Sequence, residues 1–217
     1  MMIPVIVRRA GRLMVASAML LGATSCATDV TRTGNAPAYL IIDSITAASG
    51  ATPGTFGSQL NSDVQTLIDQ TVNGVKVRVA TVYNDLGKAT MRMALKNAGS
   101  TTTPTTPSTV NEITLTRYHV NFTRSDGRNT PGVDVPYGFD GGVTQTVSST
   151  TPATIGFDIV RHTNKEESPL RNLVNAGGAI QISTIAEITF YGHDQAGNEV
   201  TVTGLITVNF ADFGDPS

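Results

Sequence analysis

Two runs of strand-forming residues, 179–191 (AIQISTIAEITFY) and 199–210 (EVTVTGLITVNF), are separated by Gly192, His193, Asp194, Gln195, Ala196, Gly197 and Asn198. Both runs are rich in Ile, Val, Thr and Phe, and the residues between them are turn formers, so this third of the chain is expected to be a long β-hairpin. The composition points the same way throughout, with few charged residues and many Thr, Val and Gly.

Further strands are expected upstream. Residues 38–46 (AYLIIDSIT) form the first, broken by the Gly- and Pro-bearing stretch 50–57. Phe56, Leu60, Val64 and Leu67 or Ile68 then fall at helical spacing, while 64–72 also suits a strand. Asn73-Gly74 decides between them, because both central residues of a tight hairpin turn need positive φ, and this pair separates two β-rich runs. Strands are predicted at 63–72 and 75–83, followed by a turn at Asn84-Asp85-Leu86-Gly87 and a third strand at 89–96, a three-stranded meander. The low-complexity stretch 99–109 carries two prolines and is expected to be an exposed loop. Residues 113–123 alternate without a clean inward face: Ile113 and Leu115 share one side with Arg117, His119 and Asn121, and Tyr118, Val120 and Phe122 share the other with Thr114 and Thr116. Strands at 143–148 and 154–160 follow. One short helix is expected over 168–177, with Ser168 as N-cap, Pro169 at the first helical position and Gly177 just past the end. About nine strands with so little helix predict an all-β fold, a β-sandwich.

The N-terminus carries an address. Arg8, Arg9 and Arg12 precede an apolar run of 11 residues, 13–23, and small residues lead to Cys26. A membrane-spanning helix needs roughly 20 apolar residues, so a cleaved export signal is expected instead. Ala23-Thr24-Ser25-Cys26 resembles the lipobox of bacterial lipoproteins, with Ala23 where that family usually has leucine. The resemblance implies that Cys26 is the lipid-attachment residue, acylated and first in the mature chain. It also implies that Ala27 after it, rather than aspartate, directs the protein to the outer membrane. Residues 1–25 are then a signal peptide, 26–36 a tether and 37–217 one sandwich domain. Tyr191-Gly192-His193-Asp194-Gln195-Ala196-Gly197-Asn198 resembles the late hairpin of bacterial immunoglobulin-like and fibronectin-like modules, where a strand ending in an aromatic precedes Asp-x-Ala-Gly-Asn. This resemblance implies an immunoglobulin-like topology for the sandwich and leaves the function open.

Cys26 is the only cysteine, so acylation leaves no thiol for a disulfide, a redox pair or a zinc site. Removing the three signal arginines leaves 12 basic against 17 acidic residues, a formal charge of −5. That balance argues against nucleic acid and against a polybasic membrane patch. No GxSxG elbow, P-loop or GxGxxG is present, and His119, His162 and His193 stand in no metal-binding spacing.

Candidate sites concentrate in 124–142 (RSDGRNTPGVDVPYGFDGG), a Gly-, Pro- and Asp-rich stretch long enough to suggest a functional loop. Asp126, Asp134 and Asp140 are candidate ligands for calcium or another ligand, since hard cations collect oxygens from such loops. The same residues in Gly-rich turns also serve turn geometry. Tyr137 and Phe139 either form a binding surface or tuck beneath the loop as its own small core. Glu166-Glu167 are explained by a favourable position at a helix start. The expected function is a lipid-anchored envelope protein with a structural, adhesion or binding role and a protein or glycan partner, with no cofactor required. The alternative is a carbohydrate-active or other hydrolytic enzyme whose carboxylates, such as Asp126 or Asp134, meet only in the fold.

Overall fold

The computed structural model describes residues 34–214. The expected signal peptide, Cys26 and the tether as far as residue 33 lie outside the described residues. The described residues form ten strands: β1 (Ala38–Ala48), β2 (Gln59–Asp63), β3 (Thr66–Val72), β4 (Val75–Thr81), β5 (Asp85–Leu95), β6 (Ile113–Thr123), β7 (Phe139–Val147), β8 (Ala153–Val160), β9 (Ile182–Asp194) and β10 (Glu199–Ala211). Among the described residues there is one α-helix, α1 (His162–Glu166), between β8 and β9.

The fold is an all-β sandwich. A three-stranded sheet in the order β1-β5-β8 faces a five-stranded sheet in the order β2-β10-β9-β6-β7, and β3-β4 form a separate ribbon. This is the arrangement of an immunoglobulin-type sandwich, in which β1, β5 and β8 take the places of strands A, B and E, and β6, β7, β9 and β10 those of C, C′, F and G. One apolar cluster spans both sheets, with Leu40, Met91, Ile155 and Phe157 from one side and Leu115, Val120, Ile188, Val208 and Phe210 from the other. At its centre Phe157 packs on Tyr118 at 5.4 Å and on Phe190 at 5.3 Å between ring centroids. This chain has no tryptophan and a single cysteine, so packed rings, and not an inter-sheet disulfide, join the two sheets here.

The mixed faces of 113–123 have a local cause. The register of β6 shifts between Leu115 and Arg117 against both neighbours: against β9 Thr116 is an extra residue on β6, whereas against β7 the extra residue lies on β7. A bulge of this kind moves every later side chain to the opposite face. Ile113 and Leu115 point inward before it, and Tyr118, Val120 and Phe122 after it, all buried. Gly192 is the partner of Leu115 there, and a Cβ on it would lie 2.3 Å from the Thr114 carbonyl oxygen.

Four expectations are corrected. The meander does not form: β4 pairs only with β3, while β5 joins β1 and β8 in the three-stranded sheet. The ribbon is largely exposed, whereas β5 buries Ala89, Met91 and Met93, so the core claims β5 and leaves the ribbon outside. Asn84-Asp85-Leu86-Gly87 is not a turn, because Asp85 already opens β5 and the Asn84 and Asp85 side chains are spent on long-range partners. The helix expected at 168–177 is replaced by α1 upstream and a 3-10 turn at Leu170–Leu173. Pro169 supplies no backbone N–H between the two pieces, and Asn175 and Gly177, with φ of 64° and 58°, end the segment. Finally, the long loop stops at residue 138, since Phe139 and Asp140 belong to β7.

The strand directions give the molecule two distinct ends. β1, β6, β8 and β10 run away from the end at which the chain enters the sandwich, and β5, β7 and β9 return to it. Segments 96–112, 148–152 and 195–198 therefore lie at the near end, where Gln195 donates to the Glu112 carbonyl. The far end carries the β3-β4 ribbon, loop 124–138 and the segment 161–181.

Candidate functional site

The far end is organised by α1, which joins its separate pieces through side chains one to three residues apart. His162 donates its backbone N–H to Asn84 Oδ1 at 2.7 Å, tying α1 to the start of β5. Asn164, buried, donates from Nδ2 to the Tyr137 carbonyl at 2.9 Å and so fastens loop 124–138. Lys165 donates from Nζ to Asp85 Oδ1 at 2.8 Å.

The last contact is unusual for its burial. The side chains of Lys165 and Asp85 are 1% and 0% exposed, although lysine and aspartate are seldom withdrawn from water. Gly50 adds a backbone N–H to Asp85 Oδ1 at 2.8 Å. The other carboxylate oxygen, Oδ2, has no hydrogen-bond partner, and neither has the buried Ser62 hydroxyl. Ser62 lies close enough to the carboxyl to favour its charged form, yet no well-directed bond joins them. Burial nevertheless dominates and pushes the Asp85 pKa up, against the Lys165 charge and hydrogen bond.

Two grooves lie beside the end of α1, and Glu166 lines both. One, of about 800 Å³, runs past the base of the ribbon and is lined by Val64, Val82, Lys165, Glu166, Arg171 and Val174. The other, of about 480 Å³, runs beneath the loop and is lined by Gly132, Tyr137, Glu166, Glu167, Arg171 and Asn172. Arg171 also lines both. Tyr137 is 52% exposed. An exposed aromatic ring, carboxylates, a guanidinium and an amide in adjoining grooves can stack on a ligand and exchange hydrogen bonds with it in both directions.

The residues singled out from the sequence are dispersed. Asp126 is clasped by Arg124 at 2.6 Å and Arg128 at 3.0 Å, and these bonds, the Arg124 one first, hold its carboxyl well below the usual range. It therefore stays ionised, which does not suit a general acid. Asp134 accepts from the Thr130 N–H at 3.2 Å and closes its own turn. Asp140 is on β7, at 3.4 Å from Arg117 and 3.2 Å from His119. The three aspartates thus do not converge as a calcium loop would require, and among the described residues no group of three or more His, Cys, Asp or Glu is placed to hold a metal ion. The two aromatics part company: Phe139 is half-buried, under the Arg161 guanidinium at 4.1 Å and edge-on to Tyr118, whereas the Tyr137 ring covers Gly132 and stays exposed. Glu166 and Glu167 end α1 rather than begin a helix, so the helix dipole does not explain them; both face the grooves. Of the remaining histidines, His162 Nδ1 is 2.9 Å from Asn84 Oδ1, and His193 Nδ1 is 3.0 Å from the Asp194 carbonyl.

Asp85, Asn164, Lys165 and Arg171 were not singled out by sequence reasoning. Their local sequence offers no signal, because Asn164-Lys165-Glu166-Glu167 reads as an exposed polar stretch. No protein-family model and no curated protein matches the chain.

Proposed function

We propose that this chain is an exported protein of the cell envelope, held to the outer membrane by a lipid on Cys26, and that its sandwich presents the far-end grooves to a protein or glycan partner. One observation carries the reading: the polarity of the sandwich relative to the Cys26 signal. The chain enters at Ala38, and the ribbon, loop 124–138, α1 and both grooves all lie at the opposite end. Ala38 lies 12 positions after Cys26, a reach of about 40 Å at most when fully extended. β1 spans 11 residues, about 35 Å of further projection. A lipid at Cys26 would hold the near end toward the membrane and the grooves away from it. The role supported is binding or structural, since the far end offers shaped polar surface while Asp126 and Asp134 are occupied with local partners.

A photo-crosslinking residue placed at Tyr137 in cells tests this. It is expected to trap a reproducible protein or glycan adduct, while the same residue at Gln195, at the near end, traps none of that species. Adducts at Gln195 alone, or none at Tyr137, would overturn the assignment of the partner to the far end.

A further inference from the structure

The β3-β4 ribbon stops at two strands. A two-stranded hairpin is marginal in water, and a third strand or a packed face is what makes one stable. Opposed residues of an antiparallel pair share a face, and the pairs Ile68 with Val79, Gln70 with Val77 and Val72 with Val75 put five aliphatic side chains on one side. Ile68 and Val79, toward the base, are half-buried, whereas Val72, Val75 and Val77 are 51%, 63% and 44% exposed. The other side carries the charges. Asp69 meets Arg78 at 3.5 Å, and Lys76 stands opposite Thr71 with no ion-pair partner among the described residues. β4 pairs with β3 alone, so the N–H and C=O groups on its outer edge have no strand partner among the described residues. An unpaired edge of this kind is a template for a further strand.

We propose that the outer edge of β4 is a docking site for an extended segment of a partner protein in which apolar residues alternate with acidic ones. The segment adds to β4 as a third strand. Its apolar residues continue the face of Val75 and Val77, and its carboxylates fall beside Lys76 and Arg78 on the other face. Main-chain hydrogen bonds supply affinity in such an addition, and the alternate side chains supply selectivity. A basic alternation is refused, because like charges on adjacent strands repel. The charges also exclude two other occupants. In the antiparallel registers that align the valines of two β4 edges from two copies, Lys76 or Arg78 falls opposite Lys76 or Arg78, and β3 of a second copy brings one carboxylate, Asp69, already committed to its own Arg78. A lipid surface meets valines on one face and cations on the opposite one, with Asn73-Gly74 at the tip, and cannot engage both. This inference rests on the reading of the far end as the binding end, and names the partner there as a strand of protein rather than a glycan.

The test is fluorescence anisotropy of two labelled synthetic peptides, one of alternating Val and Glu and one of alternating Val and Lys, against the full chain held in detergent. The Val–Glu peptide is expected to bind saturably and the Val–Lys peptide roughly tenfold more weakly, as two reversed cross-strand charge pairs require. The double variant Lys76→Glu with Arg78→Glu should reverse that order. Both side chains are on the exposed ribbon, and the Asp69 bridge that is lost is a surface one, so the variant should melt with the wild type. Hydrogen exchange should slow over 75–81 when the Val–Glu peptide is bound, and N-methylation of that peptide, which removes backbone donors and keeps the side chains, should abolish binding. No saturable binding of the Val–Glu peptide, equal binding of the two peptides, or protection confined to another segment would overturn the proposal. So would self-association of the chain through 75–81, or binding of phosphatidylglycerol vesicles that the Val–Glu peptide cannot displace. A partner trapped at Tyr137 with no peptide bound at β4 would sink this inference and leave the far-end reading standing; peptide bound at β4 with no adduct at Tyr137 would support the ribbon site and remove the grooves.

Discussion

Asp194 closes the turn between β9 and β10 with both its backbone and its side chain: its N–H donates to the Asn198 carbonyl and its own carbonyl accepts from Gly197, each at 3.0 Å. Oδ1 accepts the N–H groups of Ala196 and Asn198, both at 2.9 Å, and Oδ2 accepts from Asn198 Nδ2 at 2.8 Å, while Gly197 takes a φ of 84°. Burial opposes the charge here, but the bonds from Asn198 and Ala196 prevail and hold the carboxyl below its ordinary 3.8. Asp194→Ala is therefore expected to lower stability by about 1.5–3 kcal/mol at neutral pH, the range for hydrogen bonds to a charged group. Because the folded pKa lies below the unfolded one, the unfolded chain takes up the proton first. The contribution is complete above pH 3.8 and disappears as pH falls through the folded value, so denaturant titrations of wild type and variant should converge in acid. A constant gap between them would contradict this account of the turn. The Asp194 motif was legible because all its partners are within four residues. Lys165 and Asp85 were not, because their partnership exists only once strands 80 residues apart are side by side.

Strands were read well where one face is buried and the alternation continues unbroken, as in β8, β9 and β10. β6 was placed at its observed bounds, but its inward face was not legible, because a single extra residue reverses the alternation and nothing in Thr116 itself announces it. The bulge makes a demand on its neighbour that can be measured. Gly192→Ala would force a Cβ against the Thr114 carbonyl and the Leu115 backbone, whereas Gly142→Ala on β7 meets no atom within 4 Å. The first should cost about 1–3 kcal/mol, as overpacking does, and the second less than about 1 kcal/mol, from glycine-to-alanine backbone effects. Equal thermal shifts for the two variants would mean that the β6 bulge is not built as described. The Asn73-Gly74 turn was legible for the same local reason as Asp194, and both residues adopt positive φ. Where its ribbon would go was not legible, because the turn fixes only the pairing of β3 with β4, and the partners of β5 are set by the apolar face it shares with β1 and β8.

The described residues form a sandwich with a near end that receives the chain and a far end that gathers loop 124–138, the segment 161–181, the ribbon and two adjoining grooves. The fold class was legible from composition and alternation, since both depend on local residues. The far-end grooves were not, because they arise where 124–138, 161–181 and the base of the ribbon meet, and each segment alone resembles an ordinary polar connection. The polarity acquires its proposed meaning from Cys26, because a lipid there would fix which end faces the membrane. The central claim is thus attachment at that residue, and mass spectrometry of the mature N-terminus, isolated from native membranes, tests it most directly. The account predicts a chain that begins at Cys26 and carries acyl groups on it; an unacylated chain beginning at any other residue would contradict it.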